Sequence, residues 1–345
     1  MTPRGVLAAV LTGAVVAACA GSPSPDTKDP AFSLPVGPTT WDASAPAWLH
    51  DGTLHVGAAT VRLGGGVDQF VLGATGAYWM RGGTLMFTSA EGETQRVEDV
   101  GWGNLAVSAD HTVLATVDQS RGPTDQYGTH VMQVAAFDTR TGEQLYRTPD
   151  EKPDRGDDLA DLYGEVMPLL HGVSDEHLFY DGATIDLDDG SSRRARTGAD
   201  GVEVYPDRAE TLFPDGFHVG IRGEGRTREL TDSTLAAVGR LSPDRSTIFD
   251  STAWPSDAVV YDAETGRRRA IGSPWRHFTL AGWSDERTFF GVAEDVDEQE
   301  EGVVHARQVV SCVLPSLACE PVSPVVPEGR DGALPALMVE GAPVP

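Results

Sequence analysis

Three cysteines are the most reactive side chains in the sequence, and their settings differ. Cys19 follows Val16, Ala17 and Ala18 at the end of an apolar run of small residues that begins at Gly5, with Arg4 as the only early charge. The run is too short to span a bilayer and has the character of a secretory signal. Cys312 and Cys319 sit in VVSCVLPSLACEPV, where two short strands, 309–313 and 318–322, would flank a turn at 314–317. In that register the two face each other, and directly opposed antiparallel residues lie about 4.5 to 5.5 Å apart at Cα, within disulfide reach. A hairpin disulfide is predicted, a local staple because its loop is small.

Carboxylates are the second concentration of chemistry. Asp154, Asp157, Asp158 and Asp161 crowd one segment, and Glu294, Asp295, Asp297, Glu298, Glu300 and Glu301 crowd another; Tyr127, Trp254 and Trp275 lie in comparable segments. Such groups could receive a basic protein segment, a cationic ligand or a divalent cation, while a solvated charge run that keeps an exported chain soluble is the plainer reading of either segment alone. Sharper motifs are missing. There is no HExxH, CxxC or GxSxG, and Asp186 to Gly190 supplies only the start of a calcium loop. No metal, cofactor or catalytic residue is nominated.

Charge excludes one class of partner. The formal net charge is −26, from 26 basic and 52 acidic residues, and loss of residues 1–18 with Arg4 would leave the chain more acidic still. Nucleic acid and anionic headgroups would be repelled by such a body.

Val16-Ala17-Ala18-Cys19, followed by Ala20, Gly21, Ser22 and Pro23, resembles the bacterial lipobox. The resemblance implies cleavage before Cys19, a palmitate-type diacylglyceryl group on its thiol, and retention of the chain at the outer face of the cell membrane. With Cys19 assigned to lipid, Cys312 and Cys319 remain as an even pair suited to an oxidising compartment. Residues 20–40, rich in Ser, Pro, Gly, Thr and Asp, read as a flexible tether. The expected divisions are a signal at 1–18, a lipidated tether at 19–40, a folded body at 41–325 and a C-terminal tail at 326–345.

The elements that position these groups must be strands. From Trp41 to Val325 no stretch has convincing helical periodicity, whereas runs of four to eight residues rich in Val, Leu, Phe, Tyr and Thr recur between Gly, Asp and Pro. One phrase, two apolar strands around a turn carrying Ser and Asp, appears at 105–117, 169–180, 239–250 and 280–292. Ser and Asp suit such turns because their side chains bond backbone N–H groups two residues on, so Ser108, Ser174, Ser242 and Ser284 read as structural. A second phrase, with an Asp-led turn whose Gly142, Gly190 or Gly266 can take a positive φ, appears at 135–148, 184–197 and 259–271. Four strands per unit follow.

Units at 41–63, 66–98, 104–148, 164–197, 201–230, 234–271 and 278–325 predict an all-β chain, a β-propeller of seven four-stranded blades with six and eight left open. The Ser-Pro-Asp phrase is similar to the repeats of Tol-type and WD-repeat propellers, and 136–146 resembles a quinoprotein repeat with Tyr146 in place of its Trp. That resemblance implies the fold and no particular activity.

In a four-stranded meander the first and third turns share one end of the sheet, and the second turn and the exit share the other. The repeated phrases occupy the first end. The long pieces, 118–129, 148–165, 251–257, 272–277 and 293–305, all fall at the second. Loops beyond about 12 residues are uncommon in compact domains unless functional or disordered, so this end is the expected working surface. The expected function is a monomeric, lipid-anchored, extracytoplasmic module that binds or scaffolds an envelope or extracellular protein bearing a basic segment. A propeller hydrolase or lyase using channel-facing carboxylates is the alternative.

Overall fold

The computed structural model describes residues 32–97, 104–154, 156–165, 168–197, 203–204, 212–215, 218–221, 226–229, 239–242, 244, 246–250, 257–262, 265, 267–297, 303–327 and 337–340. Cys19 with the signal segment, Trp254 and Glu298 lie outside these residues. Among the described residues the single helix is α1, Leu159–Glu165, and no helix is long and apolar enough to cross a membrane.

The chain is otherwise a succession of antiparallel meanders, as the short apolar runs and their turn residues require. The second sheet is Gln69–Gly73, Gly76–Arg81, Thr84–Ser89 and Thr94–Arg96; the third is Leu105–Val107, Val113–Asp118, Gln133–Asp138 and Gln144–Arg147. The fourth is Leu170–Val173, His177–Tyr180, Ala183–Asp186 and Ser192–Arg194. A two-stranded pair, Arg196–Thr197 with Glu203–Val204, precedes a three-stranded fifth sheet of Leu212–Asp215, His218–Ile221 and Arg226–Glu229. The sixth is Gly239–Leu241, Thr247–Asp250, Val259–Asp262 and Arg268–Ala270. The seventh is His277–Trp283, Thr288–Val296, Val304–Val313 and Ala318–Pro321, with Val326–Pro327 also paired to its third strand.

The first sheet is completed from the far end of the sequence. Ala47–His50, Thr53–Val56 and Ala59–Arg62 form three strands, and Leu337–Val339 pairs antiparallel with Ala47–His50 to make the fourth. The segment expected as a tail therefore carries strands. The expected tether is also packed over its last residues: Leu34 is buried, its N–H donates to Gly142 O at 2.8 Å, and Pro35 O accepts from the Tyr78 hydroxyl at 2.7 Å. Gly142 has φ +74°, and a Cβ there would collide with Leu34 O. A single Phe32, Leu34 or Leu-Met-Val run among prolines and glycines carries no period, so only the long-range contact reveals its burial.

Sheets pack face to face, which is why most central strands are apolar on both sides. Leu54 and Val61 of the first sheet share a core with Phe70 and Trp79 of the second. Val71, Tyr78 and Phe87 of the second meet Leu114, Ala135 and Phe137 of the third. Val117 and Val134 meet Leu178 and Ile185 of the fourth, and Phe249 and Val260 of the sixth meet Phe289 and Val310 of the seventh. A further core joins Phe290 and Val309 of the seventh to Trp48, Leu337 and Val339 of the first. Full burial of one such large side chain stabilises by about 1.5 to 3 kcal/mol.

The Ser and Asp turns act as their chemistry requires. Ser108 Oγ accepts from the N–H groups of Thr112 and Val113 at 3.1 and 2.9 Å and donates to Asp110 at 2.6 Å. Ser242 repeats this with Thr247 N–H at 3.0 Å and Asp244 at 2.6 Å. In the seventh sheet Asp285 takes over, accepting from Arg287 and Thr288 N–H. Cys312 and Cys319 are bonded and directly opposed, with Cα atoms 4.0 Å apart. Their hairpin is more than a local staple, because Leu317 O accepts from Gly272 N–H at 2.7 Å, just past the sixth sheet.

Candidate functional site

The third sheet carries two long connections at one end: 119–132 between its second and third strands, and 148–169, described over 148–154, 156–165 and 168–169, beyond its fourth. Both start from a buried ionic base. Asp118 closes the apolar strand VLATVD with no exposure and pairs with the Arg147 guanidinium. Gln133 braces that pair, accepting from Arg147 Nε at 3.1 Å and donating to Thr148 O at 2.8 Å and Asp150 at 2.9 Å.

Above this base the two connections are locked together by Asp125. One carboxylate oxygen accepts from Tyr127 and Thr129 N–H at 2.8 and 2.9 Å; the other accepts from Leu159 N–H, at the start of α1, at 2.9 Å. Burial of Asp125 opposes ionisation, but these backbone donors outweigh it and hold the carboxyl below the usual aspartate range. Tyr163 adds a second tie, its hydroxyl accepting from Met132 N–H at 2.9 Å. Asp158 caps α1: its carboxylate accepts from Asp161 N–H at 3.2 Å and its carbonyl from Leu162 N–H at 3.0 Å.

The result is one continuous ledge. Tyr127 is 66% exposed and Leu162 49%, and Asp125 accepts from the N–H of Tyr127 and from that of Leu159, three residues before Leu162. Asp154, Asp157, Asp158 and Asp161 are exposed along the second of the two connections, with Asp157 also accepting from Asp154 N–H at 2.9 Å. An amphipathic tyrosine and a leucine beside four carboxylates can meet a segment that is basic and carries an apolar side chain.

The second acidic segment is organised differently. Glu294 and Asp295 are not loop residues: the strand Thr288–Val296 continues through them, and Glu294 is 4% exposed and bound to Arg307 at 2.9 Å. Arg307 lies directly opposite Glu294 on the neighbouring strand, which is why the strand outruns its apolar stretch. Asp297 pairs with His305 at 3.3 Å where the connection leaves and returns. Trp275 is half-buried against the core between the sixth and seventh sheets. The buried carboxylates Asp118 and Glu294 are thus each neutralised by an arginine. Among the described residues no group of His, Cys, Asp or Glu is arranged to hold a metal ion.

Sequence reasoning missed the residues that build the ledge: Asp118, Asp125, Leu159 and Tyr163. The available signals were an acid ending an otherwise apolar strand and the turn signature Asp125-Gln126-Tyr127-Gly128.

No protein-family model and no curated protein sequence matches the chain. Among solved structures it is similar to a TolB candidate from Agrobacterium tumefaciens, at 11% identity and a TM-score of 0.38 over 80% of this chain and 87% of that one. It is similar to BamB from Moraxella catarrhalis, at 16% identity and a TM-score of 0.30 over 77% and 89%. Similarity to Hsv2 from Kluyveromyces lactis is at 10% identity and a TM-score of 0.32 over 70% and 72%.

Proposed function

We propose that the chain is a lipid-anchored, extracytoplasmic β-propeller of seven blades that captures a protein partner at its long-connection end. Support for the ring comes from the strand Leu337–Val339 completing the first sheet and from the core shared by the seventh sheet and the first. Support for the anchor is the Val16-Ala17-Ala18-Cys19 segment. The observation that carries the binding reading is the Asp125 lock, which turns two long connections into one fixed surface presenting Tyr127 and Leu162. Fixing such loops in advance lowers the entropy cost of binding, which solvated, unbound loops would have no reason to do. The partner segment is basic with an apolar residue, matching the carboxylates and the tyrosine, and the protein acts as a monomer.

A photo-crosslinking residue placed at Tyr127 or Leu162 of the chain in intact cells tests this. A discrete protein adduct from these positions, and none from Arg140 on the short turns, is the expected result. Equal labelling from both ends, or none, overturns the reading. Release of a Cys19→Ala variant from the membrane fraction tests the anchor separately.

A further inference from the structure

The C-terminal end of the described residues meets the third sheet at one imidazole. His111 stands in the first turn of the third sheet, 9% exposed, with its backbone at φ +60°, a conformation that non-glycine residues seldom adopt. It is fixed there by its N–H donating to Ser108 O at 2.8 Å and by its carbonyl accepting from Thr139 Oγ1 at 2.6 Å. Its Nε2 lies 3.0 Å from Glu340, the residue just beyond the closing strand. The other oxygen of Glu340 accepts from Leu72 N–H at 2.6 Å, in the first strand of the second sheet. One side chain therefore ties the end of the closing strand to two other sheets.

We propose that the His111–Glu340 pair is a proton-controlled clasp, which holds the closing strand Leu337–Val339 on the first sheet while His111 is charged and lets it loosen once His111 is neutral. The strand is suited to such control. It pairs with Ala47–His50 over only three residues, so its pairing alone is a small unit of local stability. The charges facing His111 are mostly of one sign: Glu340 from the closing strand, Asp110 from its own turn and Asp42 from the N-terminal segment. Arg140, on the neighbouring turn, is paired with Asp138 at 2.8 Å. Burial disfavours the imidazolium, but the carboxylates outweigh it and raise its proton affinity above that of a free histidine. The stabilising contribution is then complete below about pH 6.5, the unperturbed histidine value, and disappears as pH rises through the higher native value. What is lost is a charge-assisted hydrogen bond, roughly twice as strong as its neutral counterpart. The clasp stands on the strand pairing and does not depend on partner binding.

Hydrogen exchange of the full chain, read as protection factors corrected for intrinsic pH dependence, tests it at pH 6 and pH 8.5. Protection of 337–339 is expected to be lost progressively between the two, while 76–89 in the second sheet stays level. Glu340→Gln keeps an acceptor for Leu72 N–H and removes the charge, and it should abolish the pH dependence. His111→Gln should do the same. A flat wild-type profile overturns the proposal, and so does a Glu340→Gln profile with the wild-type slope.

Discussion

At one end of the third sheet, Ser108 and Asp110 close a tight turn through side-chain bonds to the next few N–H groups. At the other end, Asp118 and Asp125 serve connections that run far from the sheet, one by neutralising an arginine at their base and the other by gathering N–H groups from two separate segments. The Ser and Asp of the short turn find their partners within it, and they could be recovered from a repeating phrase. The long end adds bonds across the chain, from Asp118 to Arg147 and from Asp125 to Leu159. An end built from local bonds tolerates little variation in length, while an end held by a few long-range acids can carry different insertions on the same sheet. That difference marks one end as framework and the other as the end that carries the proposed recognition surface.

The sharpest way to break this comparison is to remove the acid at the base of the long end. Asp118→Ala strands a guanidinium whose side chain is only 15% exposed, and breaking a buried pair by deleting one partner costs about 3 to 5 kcal/mol. Urea unfolding should show that loss, with much of it recovered when Arg147 is also replaced by methionine. If Asp118→Ala and Ser108→Ala destabilised equally, the two ends would not differ as described.

Two smaller effects sharpen the framework side. Replacing Cys312 and Cys319 together by serine should cost about 2 kcal/mol in the same assay, the low end for a disulfide because the closed loop is short. Proteolysis should then speed up at 271–276 as well as at 314–317, since Leu317 O holds Gly272 N–H. Ser108→Ala should cost about 1 kcal/mol, the usual net worth of a side-chain hydrogen bond, because only local turn bonds are lost.

What could be read from the sequence divides along the same line. The all-β character, the positions of most of the repeating units, the opposed cysteines and the turn role of Ser108 and Ser242 were legible because each is specified within about a dozen residues, whereas the unit expected at 201–230 shows a three-stranded sheet among the described residues, with 203–204 paired to 196–197. The closing strand was not, because Leu337–Val339 gains its meaning only opposite Ala47–His50. Glu294 was misplaced for the same reason: an acid in an acidic run reads as loop until Arg307 appears across the strand from it. Residues 34–37 read as tether because Leu34 and Pro35 find their partners at Gly142 and Tyr78. Along the ledge, the exposed carboxylates could be named in advance, but not Asp125, whose partner Leu159 is remote in sequence.

Asp125→Ala should have the smallest effect on global stability and the most specific effect on the long end. Its carboxylate links two connections outside the sheets' apolar cores, so the thermal midpoint should move by only about 2 °C in a chain of this size. The amides of α1, by contrast, should exchange at least about tenfold faster, because Leu159 N–H loses its acceptor and α1 is too short to persist unaided. Acid should mimic the substitution. Since backbone donors depress the Asp125 carboxyl despite its burial, its contribution is present above about pH 3.9, the ordinary aspartate value, and is lost as pH falls through the lower native value. Asp125→Asn keeps one acceptor oxygen and should fall between wild type and alanine, with no acid dependence of its own. If recognition belongs to the ledge as a single surface, Asp125→Ala should also abolish the crosslink from Tyr127 while leaving the protein folded and anchored. A crosslink that survived the loosening of α1 would show that Tyr127 works without the surface that Asp125 builds.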